Sequence, residues 1–270
     1  MSLGSAKNRN RFSHNAASIL AVLAFGFGAA MVHAGAGSNA NFGAIGSNVN
    51  PGVIPAHAHP YGMTYGEWSA AWWSWVVGIP AGDNFDENPI LDETGEFGDI
   101  DQQGPVFFLA GSFGATVERT LTIPQGKGLF FPIVNSLWWA PDDLESAIFI
   151  LEEILGLDAD DFTDEELIRF IANYHQDFDE LAMTCTIDGV ELSDLEQYYT
   201  DSPDFHITDT DFFDDLGVPI GEDNLAVSAG RWIMLTPRSA GEHTIRFTVV
   251  ADDAVFGPFA LDVTYNLTVE

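Results

Sequence analysis

The sequence predicts a mainly β protein: an antiparallel β-sandwich or jelly-roll-like domain with a Trp-rich N-terminal helix and an acidic helix-pair insertion. Three observations lead there. Runs of alternating apolar and polar residues, separated by Gly-containing turns, recur from Pro105 onward. A helical period replaces them in two stretches only, Thr64–Val77 and Asp142–Ala182. A content of 46% hydrophobic and 13% aromatic residues supplies a packed core, so the chain is not a disordered acidic polymer.

Taken in order, Lys7, Arg9 and Arg11 precede an apolar stretch from Ala16 to Val32, and Val32-His33-Ala34 offers small residues at a cleavage site. That order predicts a secretory signal peptide over residues 1–34 and a secreted or periplasmic protein. The apolar stretch falls short of the ~20 residues of a spanning helix, so no membrane span is expected after signal removal. Residues 35–60, rich in Gly, Ala, Asn and Pro, read as an extended N-terminal segment. Residues 61–270 then form a single β-sandwich domain.

Within it, Thr64-Tyr-Gly-Glu67 has the spacing of a capping box and Gly78-Ile79-Pro80 supplies a stop. At 100° per residue Tyr65, Trp68, Trp72, Trp75 and Val76 share a face, with Glu67 and Ser74 opposite. Residues 81–104 read as a long acidic loop. Strands are expected at Pro105–Gly111, Ala115–Pro124 and Gly128–Asn135, then at Thr184–Ile187 and Val190–Leu192 around the hairpin signal Asp188-Gly189. The C-terminal third predicts three more: Val227–Leu235, His243–Val250 and Phe259–Val269. Between strands, residues 142–182 carry fourteen acids and one base, Arg169. Leu144, Ile148, Leu151 and Leu155 share one helical face, and a second capping box, Thr163 to Glu166, opens another helix.

Charge excludes whole classes of partner. With 9 basic residues against 41 acidic ones the formal charge is −32, so no nucleic acid is expected as a partner. The same balance argues against adhesion to anionic lipid through basic residues. Most carboxylates lack a cationic partner in the sequence, so dissolved or bound cations must relieve their repulsion. A solvated acidic surface and a specific divalent-cation site both meet that need.

Calcium takes six to eight oxygen ligands. Asp99 and Asp101 stand at loop positions 1 and 3 of an EF-hand-like spacing, but Ala110 occupies the position of its required acid. A calcium site assembled from separate loops would draw on Asp99, Asp101, Asp209 and Asp211. His57 and His59 could turn two imidazoles toward zinc or copper, with further ligands needed from elsewhere. Ser112, in Ala110-Gly-Ser112-Phe-Gly114, resembles a nucleophile elbow, yet the residues after it read as a strand where an elbow needs a helix. Cys185 stands alone in an alternating strand, as a small buried residue would. Trp138 and Trp139, expected just after a strand, are the candidates for a sugar-stacking platform.

Two stretches carry a resemblance. The run His59–Trp75, with Gly104–Gly111 and Gly128–Asn135, and the C-terminal segments Gly241–Phe247 and Asp262–Val269, resemble a group of uncharacterised secreted bacterial proteins. The resemblance implies one exported domain and brings no activity or site residue with it. The function expected from the sequence is therefore a non-catalytic exported binding module for divalent cations, calcium foremost, or an extracellular polymer such as a polysaccharide. A secreted carbohydrate-active enzyme using paired carboxylates and a structural cell-surface protein are the alternatives.

Overall fold

The computed structural model of the chain describes residues 50, 52–208, 210–218 and 220–270. The residues expected to form a signal peptide and most of the expected extended segment lie outside them, as does Asp209. The fold is mainly β, with two five-stranded sheets and a Trp-rich helix near the start.

Helix α1 (Tyr65–Val77) begins where the sequence predicts, because Thr64 Oγ1 accepts the Glu67 N–H while the Glu67 carboxylate accepts the Thr64 N–H. Its tryptophans are buried and Glu67 and Ser74 are exposed. Gly66 permits the approach of this helix to the sheet, since a Cβ there would sit 2.4 Å from Asp201 O.

The first sheet runs β1 (Val106–Phe108), β3 (Gly128–Ala140), β8 (Asn224–Leu235), β6 (Tyr199–Asp201), with β7 (Phe205–Ile207) also on β8. The second runs β2 (Thr116–Ile123), β10 (Phe259–Val269), β9 (Gly241–Asp252), β4 (Glu180–Ile187), β5 (Val190–Glu191). Phe131 of the first sheet stacks on Phe247 of the second, ring centroids 5.4 Å apart, so the two sheets face each other as in a sandwich. In the second sheet alternate residues are buried, and in β3 and β8 nearly all are. One sheet therefore has a solvent face and the other is covered on both sides.

Most pairings are antiparallel as expected, but β1 pairs β3 and β2 pairs β10 in parallel. The expectation of a wholly antiparallel sandwich is corrected on this point. Between β1 and β3 the chain crosses to the other sheet as β2 and returns, which leaves the two strands pointing the same way. The Asp188-Gly189 hairpin is present, both residues at positive φ (52° and 76°) as a type I′ turn needs.

The acidic insertion folds as α2 (Leu144–Phe149), a π-helical turn (Ile150–Ile154) and α3 (Asp164–Tyr174), with Thr163 and Glu166 forming the second capping box. Leu151, Leu167, Ile168 and Ile171 pack on Trp138, Val227 and Ala229, a second core on the far half of the β3–β8 pair. The short α4 (Asp211–Asp215) buries Phe212 and Phe213. The β3–β8 register shifts between Pro132 and Val134, ahead of the half of β3 that meets this insertion. Gly230 allows the close approach there, since a Cβ would lie 2.5 Å from Val134 O.

Candidate functional site

Strand β1 covers the edge of β3 only from Gly128 to Phe130. Beyond that, among the described residues, no strand pairs with this edge. The uncovered stretch Pro132–Trp139 lines an apolar cavity of about 130 Å³. Trp73 and Val77 of α1 and Phe212 and Phe213 of α4 close it on one side of the sheet. His175, Gln176 and Phe178, just past α3, close it on the other. Phe113, Phe256, Phe259 and Leu261, from or beside the second sheet, complete the wall.

The wall holds no Asp, Glu, Lys or Arg. Its polar side chains are few and mostly engaged. Ser112 Oγ donates to Ala115 O and accepts from Ala115 N–H, and Ser136 Oγ donates to Ala172 O. Ser112 thus closes a turn into β2, which leaves it without the strand–turn–helix setting of a hydrolase nucleophile. Trp138 Nε1–H donates to His175 Nδ1 at 3.2 Å. An indole N–H can only donate, so Nδ1 must be the acceptor and the imidazole proton resides on Nε2. Burial holds His175 in this neutral form, lowering its pKa to about 4 against a small opposing pull from Asp253. Its ring stacks on Phe256 with centroids 3.9 Å apart. Trp139 Nε1 and Asn135 Nδ2 are enclosed and have no hydrogen-bond partner among the described residues.

Arg119, buried in the second sheet, fixes one rim. Its guanidinium donates to Asp92 O, Ala110 O, Gly111 O and Tyr265 Oη at 2.7–2.9 Å. These bonds tie the acidic loop, the residues leading to Phe113, and β10 into one unit. At the other end Trp139 N–H donates to Asp143 Oδ2, and burial pushes the Asp143 carboxyl up to about 7, with Asp142 adding to the rise.

The residues singled out from the sequence stand as follows. Trp138 and Trp139 were expected after the strand, at the surface; they lie inside β3, 1% and 4% exposed, so neither offers a face to a polymer in solvent. The expectation failed because a strand buried on both faces shows no alternation to mark its end. Both residues line the cavity instead. Asp99 and Asp101 are exposed in the acidic loop, and Asp211 is exposed at the start of α4. No group of three or more His, Cys, Asp or Glu side chains able to hold a metal ion is found among the described residues. His57 and His59 are exposed before α1. Cys185 is buried in β4, its thiol pushed up to about 12 by burial, so it is not a nucleophile.

One surface cluster has the composition of a catalytic triad. His243 Nδ1 lies 2.9 Å from Asp188 Oδ2, and His243 Nε2 lies 3.5 Å from Ser239 Oγ. However, Nε2 is nearer to Ser239 O, at 2.9 Å. Turned toward that carbonyl rather than the hydroxyl, Nε2 is not placed to take the serine proton. Arg238 also binds Asp188, at 2.6 Å. The cluster clamps the start of β9 to the β4–β5 turn.

His175, Asn135 and the ring of phenylalanines around the cavity were not singled out from the sequence. They come from β1–β3, α3, α4 and the β9–β10 turn, and no local spacing links them.

No family model matches the chain, and no curated protein matches it. Among solved structures it aligns with the solution structure of amebosin at 10% identity, over 58% of this chain and 97% of that one. The TM-score of 0.15 carries no argument about fold or function.

Proposed function

We propose that the protein is an exported, non-catalytic binding module whose ligand is a small, largely apolar molecule held in the cavity beside β3. One observation carries this reading: an uncharged, aromatic-lined cavity at a stretch of β3 edge that no strand covers among the described residues. Binding sites for small molecules are concave and mostly apolar, with a few polar groups that fix orientation. The cavity has that character, and its volume of about 130 Å³ approaches the roughly 150 Å³ that accommodates benzene in an engineered core. A cation site has less support, since the acidic candidates do not converge among the described residues. Export rests on the N-terminal sequence pattern alone.

Thermal melting of the full chain with toluene, and separately with Ca²⁺ at matched ionic strength, tests the reading. A site on the native state raises stability by RT ln(1 + [L]/Kd). Toluene should raise the Tm, and Leu137→Phe, which narrows the cavity at its wall, should remove that rise. A rise with Ca²⁺ and none with toluene would transfer the function to the carboxylates.

A further inference from the structure

We propose that the ligand of this cavity is an uncharged single-ring molecule bearing a carbonyl oxygen, and that His175 Nε2–H donates a hydrogen bond to that oxygen. The inference rests on the cavity being the binding site and specifies what the site selects.

The argument is one of polarity. Because Trp138 donates to Nδ1, His175 presents its single N–H from Nε2, and no described residue accepts it. The neighbouring Gln176 has its Oε1 held by Arg231 Nη1 at 3.2 Å, which orients the amide and leaves Nε2 as a further donor. Trp139 Nε1 and Asn135 Nδ2 are enclosed without acceptors. Against these donors, Asn135 Oδ1 is the side-chain carbonyl on the wall with no hydrogen bond among the described residues. A wall with surplus donors selects a ligand that accepts.

The ligand's charge follows from the same wall. A carboxylate would have to shed its water with no Lys or Arg lining the cavity, inside a chain of formal charge −32. Desolvating an unpaired ion is far costlier than desolvating a neutral oxygen. A cation would meet no carboxylate in the wall. A neutral ketone, aldehyde or ester oxygen meets the donors without either cost, and the volume limits the body to about one ring.

Three probes of nearly one shape separate these terms at pH 7. Acetophenone carries the carbonyl, α-methylstyrene replaces its oxygen by CH₂, and benzoate replaces its methyl by a charged oxygen. Acetophenone should bind the full chain about five- to tenfold tighter than α-methylstyrene, the range of one net hydrogen bond. Benzoate should bind weakest. In His175→Phe, which keeps a ring against Phe256, the preference for acetophenone over α-methylstyrene should vanish. In the unaltered protein, ¹⁵N NMR should show the His175 Nε2–H resonance moving on adding acetophenone and staying with α-methylstyrene; this measurement decides the matter even if the variant fails to fold. Equal binding of acetophenone and α-methylstyrene, or tightest binding of benzoate, overturns the hydrogen-bond assignment while the cavity reading stands. Absence of binding by all three overturns both.

Discussion

Trp139 and Asp143 hold each other through two hydrogen bonds: Trp139 N–H donates to Asp143 Oδ2, and Asp143 N–H donates to Trp139 O, each at 3.0 Å. The pair pins the end of β3 where its edge is otherwise unpaired, and Trp139 at that point forms cavity wall. The fold therefore anchors the cavity with a buried carboxyl, and pH acts on that anchor.

Asp143 contributes stability in acid and loses it toward neutrality. Its folded value of about 7 lies above the unfolded value of 3.8, so both states are protonated in strong acid and the contribution is complete there. As pH rises from about 4 to 7 the unfolded chain ionises first, and stability falls by an amount on the order of 3–4 kcal/mol. Asp143→Asn keeps an acceptor for Trp139 N–H and cannot ionise. Denaturant unfolding at pH 8 should find the variant more stable than the unaltered protein, with the difference shrinking toward pH 4. A constant difference across that range would show that Asp143 ionises normally.

His175 has the opposite sign. Its folded value of about 4 lies below the model-peptide value near 6.5, so its contribution is complete above pH 6.5 and is lost as pH falls toward 4. The size is on the order of 2–3 kcal/mol. Comparing urea midpoints of the unaltered chain and His175→Phe at pH 7 and pH 4 should show the unaltered chain losing more stability on acidification. An equal loss in both would show that burial does not hold the imidazole neutral.

Arg119 is satisfied by neutral oxygens rather than by a carboxylate partner. Replacing it by Met leaves Gly111 O and Asp92 O buried without donors, each costing about 1–3 kcal/mol, while Ala110 O keeps the Tyr265 hydroxyl. Arg119→Met should lower unfolding free energy by about 3 kcal/mol or more in chemical denaturation. Arg119→Lys should recover only part of it, since one ammonium cannot span the same oxygens. A loss below about 1 kcal/mol in the Met variant would mean that water replaces the guanidinium.

The thiol of Cys185 should resist modification while the chain is folded. Burial holds it protonated and enclosed in β4. A thiol-directed reagent at pH 8 should label it only at the rate of unfolding, and fully in urea. Rapid labelling of the native protein would contradict the packing of β4 against β9.

Much of the fold was legible because it is written in local patterns. Both capping boxes, the Trp-rich helix face and the Asp188-Gly189 turn are short-range signals, and each appears where the residues place it. The alternation of Ile245, Phe247 and Val249 correctly reports a sheet with one wet face. The far end of β3 was illegible because Trp138, Trp139 and Ala140 are all buried with a half-buried Leu137 before them, and such an apolar run carries no period. The parallel pairs escaped because strand direction depends on which sheet the chain visits between them. The cavity was hidden for a related reason: Phe113, His175, Phe213 and Phe256 are far apart in sequence and meet only through the sheet order. The abundant carboxylates drew attention to cations, and the uncharged site offers no such compositional signal.

The most direct test of the cavity as a binding site is a crystal of the protein pressurised with xenon, which settles in apolar space of this size. The account is supported by xenon density between Trp139, Phe113 and Phe259, lost in Leu137→Phe. An empty cavity with xenon bound elsewhere in the same crystal would contradict it.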